Sequence, residues 1–180
     1  MTRITKDTSL KDLASIVSTA LAEAGIEAVL VGGAAVSIYS DNIYQTYDLD
    51  FVTRSSNKAI SEVLEPLGFT RSGKGRHWKN SDTDFLVEFP GGDLNFGETN
   101  MSIESTSMLS TPFGSLRVIT ATQAVMDRLA AFAHWGDNQS YRQATLIVRG
   151  NDIDWDELRS WADKEGVKSS LIDELVVVSQ

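Results

Sequence analysis

The chain has 180 residues, is 42% apolar and 23% charged, and carries a formal charge of −9 from 25 acidic and 16 basic residues. That length supports one good hydrophobic core, and a single domain is expected. The acidic balance argues against a protein that coats nucleic acid through bulk charge, and the lack of cysteine excludes disulfides and thiolate metal sites.

The N-terminus, MTRITKDTSLKDLASIV, is polar and lacks an apolar signal core. The most apolar run, Ala28 to Tyr39, is too short to span a bilayer and contains two glycines. A cytoplasmic protein with no membrane association is expected. Leu10 to Ala24 sets Leu13, Ile16, Val17, Ala20 and Leu21 at helical spacing, with Thr8 or Ser9 as N-cap and Gly25 as stop. Glu27 to Val31 reads as a short buried strand, broken by Gly32-Gly33, and Ala34 to Ser40 as a short helix. Tyr47 to Thr53 alternates apolar and acidic residues, a strand pattern with Asp48 and Asp50 on one face. Asn57 to Leu67 is helical on Ile60, Val63, Leu64 and Leu67 and closes at Gly68.

Three strand-like pieces follow, Phe69 to Ser72, Arg76 to Lys79 and Asp84 to Phe89, with short polar connections suited to hairpins. Met101 to Leu109 and Ser115 to Ile119 add edge strands around Pro112-Phe113-Gly114. From Thr120 the pattern turns helical. Val125, Leu129, Phe132 and Ala133 line one face, Trp155, Leu158, Trp161 and Ala162 a second, and Val167, Leu171, Leu175 and Val178 a third. Within DIDWDE, Glu157 stands where a calcium loop needs glycine, so Asp154 and Glu157 read as an N-cap and its capping-box partner. The layout is an α/β part over residues 1–119 and a helical segment over 120–180, packed on it as one unit.

Asp48 and Asp50 carry the chemistry. Strand residues at i and i+2 hold their Cβ atoms about 6–7 Å apart on one face, close enough to share a divalent ion or bridge two. Oxygen donors suit Mg²⁺ or Mn²⁺, and two such ions steady the charge in phosphoryl and nucleotidyl transfer. The competing account is a half-exposed strand whose aspartates face water. The glycine pair adds a second feature, because a strand that ends in Gly32-Gly33 and opens a helix presents backbone N–H groups to phosphate.

In this order, VLVGG and then YDLDFV resemble the signature of the DNA polymerase β superfamily: hydrophobic-Gly-Gly/Ser, a spacer, then Asp-x-Asp/Glu between apolar residues. The spacer, Ala34 to Tyr47, is at the long end. The resemblance implies a nucleotidyltransferase core, an α/β (α+β) fold with a small mixed sheet flanked by helices. It also implies a third carboxylate on a later strand, acting as general base. Asp84, Glu88 and Asp82 are the candidates, and Glu88 is preferred because Val87 and Phe89 flank it as apolar residues flank Asp50.

The basic run RSGKGRHWK holds Arg71, Lys74, Arg76, His77 and Lys79. Lys74 and Arg76 could neutralise a triphosphate, and Trp78 could stack on a base or fill the core. MDRLAAFAHW and SYRQATLIV are similar to the helical tail of minimal nucleotidyltransferases related to the AbiE toxins. That resemblance matches Arg128 to a basic, nucleotide-reaching helix residue, usually Lys, and His134 reads as structural.

The expected function is transfer of a nucleoside monophosphate from a nucleoside triphosphate to an acceptor hydroxyl by a two-metal mechanism. Asp48, Asp50 and Glu88 would be catalytic and metal-binding, and Gly32, Gly33, Lys74, Arg76 and Arg128 nucleotide-binding. The acceptor stays open among a small molecule, a protein hydroxyl and a tRNA 3′ end, and an antitoxin partner is compatible. The alternative is a fold relative without activity that serves as a binding or antitoxin-type partner.

Overall fold

The computed structural model describes residues 4–71, 73 and 75–180. They divide into two compact units. The first runs to Ala34 and continues with Thr46–Asp93 and Thr106–Val118. The second gathers Ala35–Gln45, Leu94–Ser105 and Ile119–Gln180. Two stretches from within the first 119 residues thus group with the helical tail.

In the first unit, helix α1 (Leu10–Glu23) starts at Ser9, whose hydroxyl accepts the Asp12 amide at 3.2 Å. Its apolar stripe, Leu13, Val17 and Leu21, is fully buried. Strand β1 (Val29–Val31) runs directly into helix α2 (Gly32–Tyr39), whose residues from Ala35 belong to the second unit, so the helix opens on the two glycines rather than after them. Strand β2 (Asp48–Val52) and helix α3 (Asn57–Leu64) follow. The α3 pattern stops three residues short of its expected end. Pro66 has no amide hydrogen for the helical ladder, so a 3₁₀ turn over Glu65–Leu67 replaces it, closed by Gly68 at φ 89°.

Strands β3 (Thr70–Arg71), β4 (His77–Lys79) and β5 (Leu86–Glu88) come next. The pairs β6 (Asn95–Phe96) and β7 (Thr99–Asn100), and then β8 (Ser107–Thr111) and β9 (Gly114–Val118), complete the strands. The seven strands of the first unit lie in the order β3-β4-β5-β2-β1-β9-β8. β2 is antiparallel to β1 but parallel to β5, and β1 is parallel to β9, which makes the sheet mixed. β9 is therefore internal, with Val118 beside Leu30, and β8 forms that edge. No helix among the described residues is long and apolar enough to cross a membrane.

The sheet's apolar side is continuous. Leu49, Phe51 and Val87 are fully buried, Phe51 stacks on Phe89 at 5.9 Å, and Trp78 meets Phe89 edge-on at 5.0 Å. Trp78 is itself fully buried, which removes it as a stacking surface for a base and makes it core.

The second unit packs helices α4 (Ala121–Trp135), α5 (Asn138–Val148), α6 (Trp155–Glu165) and α7 (Ser169–Val178) around Val125, Met126, Leu129, Ile147, Leu158, Trp161, Ile172 and Leu175. Thr120 and Gln123 form a capping box at α4, and Asp154 accepts the Glu157 amide at 2.9 Å at α6. Ala133 of the expected α4 face is exposed, because the last turn of that helix leaves the core.

The β6–β7 hairpin is held by α6. Trp161 Nε1 donates to the Phe96 carbonyl at 3.1 Å, and the Glu165 carboxylate accepts the Glu98 amide at 3.0 Å and the Thr99 hydroxyl. Gly97 takes a left-handed φ of 68°, and a Cβ there would press on that carboxylate. Burial raises the Glu165 pKa, but the Thr99 hydroxyl, the Glu98 amide and His134 outweigh it and leave the group below its ordinary 4.5. A depressed pKa adds stability above the unfolded value, lost as pH falls through the lower folded value. Unfolding melts of wild type and Glu165→Gln between about pH 3 and pH 6 should therefore converge toward the acid end and separate above it. Parallel curves would show that the carboxylate's charge contributes nothing.

Candidate active site

The site is built from register. Asp50 of β2 stands opposite Val31 of β1 on one side and opposite Glu88 of β5 on the other, while Asp48 stands opposite Leu86. Residues directly opposite in neighbouring strands point to the same face, so Asp48, Asp50 and Glu88 share one side of the sheet. The other side carries Leu49, Phe51 and Val87, all fully buried. Asp48 and Asp50 are half-buried, so the acidic face is not simply a solvated one.

Gly32 brings the helix to the acids. Its φ of 62° is left-handed, and a Cβ placed there would lie 3.2 Å from Asp50 Oδ2. The bare backbone lets the first turn of α2, with Gly33, come against the carboxylate, where a helix start and its dipole favour negative charge.

Glu88 is buried, at 9% exposure. Its Oε2 lies 3.7 Å from Arg76 Nε, and its Oε1 lies 2.5 Å from Nδ1 of His77, the residue opposite it on β4. Asp84 precedes β5, is exposed and pairs with Lys6 at 2.5 Å. Asp82 is exposed in the turn after β4, its amide bound to Asn80. Of the three candidate third carboxylates, only Glu88 shares the face of Asp50 in register. Arg76 is brought to this site. Lys74 lies outside the described residues. Arg128 belongs to the second unit, where its guanidinium meets Asp127 at 2.5 Å and Gln143 at 3.0 Å. His134 is 3.6 Å from the Glu165 carboxylate, in keeping with a structural role.

Among the described residues, no three His, Cys, Asp or Glu side chains converge closely enough to hold an ion. Asp48 and Asp50 still supply hard oxygen donors on one face beside the cradle at Gly32, while Glu88 is turned toward Arg76 and His77. Two carboxylates of this kind suit a hard divalent cation, which would take its further ligands from outside the protein. His77 is the member of the site that the motifs pass over. Its one signal in the sequence is its place in the basic run.

No protein-family model matches the sequence, and no curated protein matches it by sequence. Solved structures do. An antigenic nucleotidyltransferase-like protein from Paracoccidioides brasiliensis superposes with a TM-score of 0.61 at 17% identity, over 94% of each chain. ANT(2″)-Ia in complex with adenylyl-2″-tobramycin gives 0.52 at 14% identity, over 87% of this chain and 96% of its own. The chain therefore has the nucleotidyltransferase fold, the α+β class with a mixed sheet that the sequence suggests.

Proposed function

We propose that the protein is a nucleotidyltransferase that moves a nucleoside monophosphate from a nucleoside triphosphate to a hydroxyl of a small molecule. The observation that carries this reading is the register that sets Asp48, Asp50 and Glu88 on one face, with the glycine start of α2 against Asp50. Asp48 and Asp50 would hold the Mg²⁺ or Mn²⁺ ions of a two-metal mechanism, and Glu88 would join them through the carboxylate oxygen that does not face His77. Such an ion neutralises triphosphate charge and activates the α-phosphorus. The first amides of α2, at Gly32 and Gly33, take phosphate oxygens, and Lys74, Arg76 and Arg128 are assigned to the nucleotide.

In the step itself the acceptor oxygen bonds to the α-phosphorus, the bridging α–β bond breaks and pyrophosphate leaves. The acceptor's proton passes to Glu88. A small-molecule acceptor is favoured over a tRNA 3′ end by the formal charge of −9, and by the adenylylated compound in the ANT(2″)-Ia structure. A cytoplasmic location and a place among the AbiE-like minimal nucleotidyltransferases belong to the same reading.

Thermal denaturation with Mg²⁺ and each of ATP, CTP, GTP and UTP tests the proposal, with Asp50→Ala as control. A nucleotide at a hundredfold its Kd should add about 2.7 kcal/mol and raise the melting temperature visibly. A metal-dependent shift, absent in the control, supports the enzyme and identifies the donor. No shift with any of the four overturns it in favour of an inactive partner protein.

A further inference from the structure

We infer that His77 is a positioning residue that fixes the Glu88 carboxylate for its work beside Asp50. The inference rests on the assignment of Glu88 proposed above. Three adjacent strands carry it: His77 stands opposite Glu88 across β4 and β5, and Glu88 stands opposite Asp50 across β5 and β2. The row leads on to Val31 and then to Gly32. His77, Glu88 and Asp50 therefore form a row of polar side chains over one face, with Asp48 two residues from Asp50 on the same face.

The contacts within that line are unequal. His77 Nδ1 is shielded from solvent and has no aligned hydrogen-bond partner, yet it sits 2.5 Å from Glu88 Oε1. The rest of the ring reaches water, with the side chain 41% exposed. Arg76 touches the other oxygen from 3.7 Å, with a side chain 61% exposed. A guanidinium so solvated holds its place weakly, because water screens the pair and the long side chain keeps its rotamers. His77 is short, and its neighbour Trp78 is locked in the core. A small ring rotation would align Nδ1–H with the oxygen beside it.

A glutamate on a three-residue strand has three side-chain torsions to settle, and burial removes the water that would otherwise solvate its charge. So aligned, the imidazole would give a donor to one oxygen and limit the directions the other can take. Outer partners of this kind orient metal-binding carboxylates and tune their affinity.

The test is Mn²⁺ binding, read by electron paramagnetic resonance in the presence of ATP, with the three other nucleotides tried in turn. His77→Gln puts its amide nitrogen where Nε2 stands, so Nδ1 is lost, whereas His77→Asn keeps a donor at the δ position. His77→Gln should weaken Mn²⁺ binding by about 10–100-fold, and His77→Asn should recover most of it. Both should melt at the wild-type temperature, since both stay polar on a part-exposed side chain. Equal affinity in wild type and His77→Gln overturns the inference, as does an Asn variant no better than Gln. Glu88→Gln separates the two levels. If it weakens binding while His77→Gln does not, Glu88 stands and the role of His77 falls. If wild type binds no Mn²⁺ with any nucleotide, the reading of the whole site falls, and His77 with it.

Discussion

Asp50→Ala is expected to lower nucleotidyl transfer by at least about a thousandfold, about 4 kcal/mol of barrier at 1.36 kcal/mol per tenfold. The size follows from its place. Asp50 lies against Gly32 and stands opposite Glu88 across the sheet, so under the proposed function it joins the phosphate cradle to the base. Under the proposed function, removing it takes away a carboxylate that would hold the cation balancing the triphosphate's charge. Pyrophosphate release with the donor nucleotide and an acceptor library measures the effect. Asp48→Ala should fall comparably, and both variants should still unfold cooperatively, because neither carboxylate belongs to the buried side of β2. Asp84→Ala is the matched control. Its carboxylate pairs with Lys6 on the surface, and such a substitution changes stability by about 0.5 kcal/mol or less. An Asp84 variant as inactive as Asp50→Ala would move the third carboxylate out of the strand and break the assignment of Glu88.

Legibility of the fold tracked the length and regularity of each element. α1, with Ser9, Leu13, Val17 and Leu21, follows from helical spacing and a cap, and it stands within a residue of its expected bounds. β2 is equally plain, since alternation of apolar and acidic residues has no other simple reading. The candidate site is legible for the same reason: Gly32, Asp48 and Asp50 are tied to local pattern. Glu88 needed pairing information, because Asp84 and Glu88 lie on the same strand-like piece and only register with β2 separates them. His77 needed more still, as its role depends on two strand pairings at once. The β6–β7 hairpin escapes pattern reading altogether. Its strands are two residues each, too short for alternation, and Glu165, which holds them, lies far along the chain.

Trp78→Ala is expected to cost about 3–5 kcal/mol, a large part of the roughly 5–15 kcal/mol that holds a domain folded. The indole is fully buried, edge-on to Phe89 at 5.0 Å, with Nε1 3.4 Å from the Ser61 hydroxyl and the Arg71 guanidinium 5.4 Å over its ring. Alanine would leave a cavity under a strand only three residues long, in which relaxation has few neighbours to recruit. That strand also presents His77 to Glu88, so loss of packing should travel to the site. Urea unfolding gives the stability and Mn²⁺ titration gives the site. The expected pattern is a fall in both for Trp78→Ala, against a fall in affinity alone for His77→Gln. Trp78→Phe, which keeps an aromatic ring against Phe89, should lie between. A Trp78→Ala protein within about 1 kcal/mol of wild type would show that β4 is held by its backbone pairing and not by the indole beneath it.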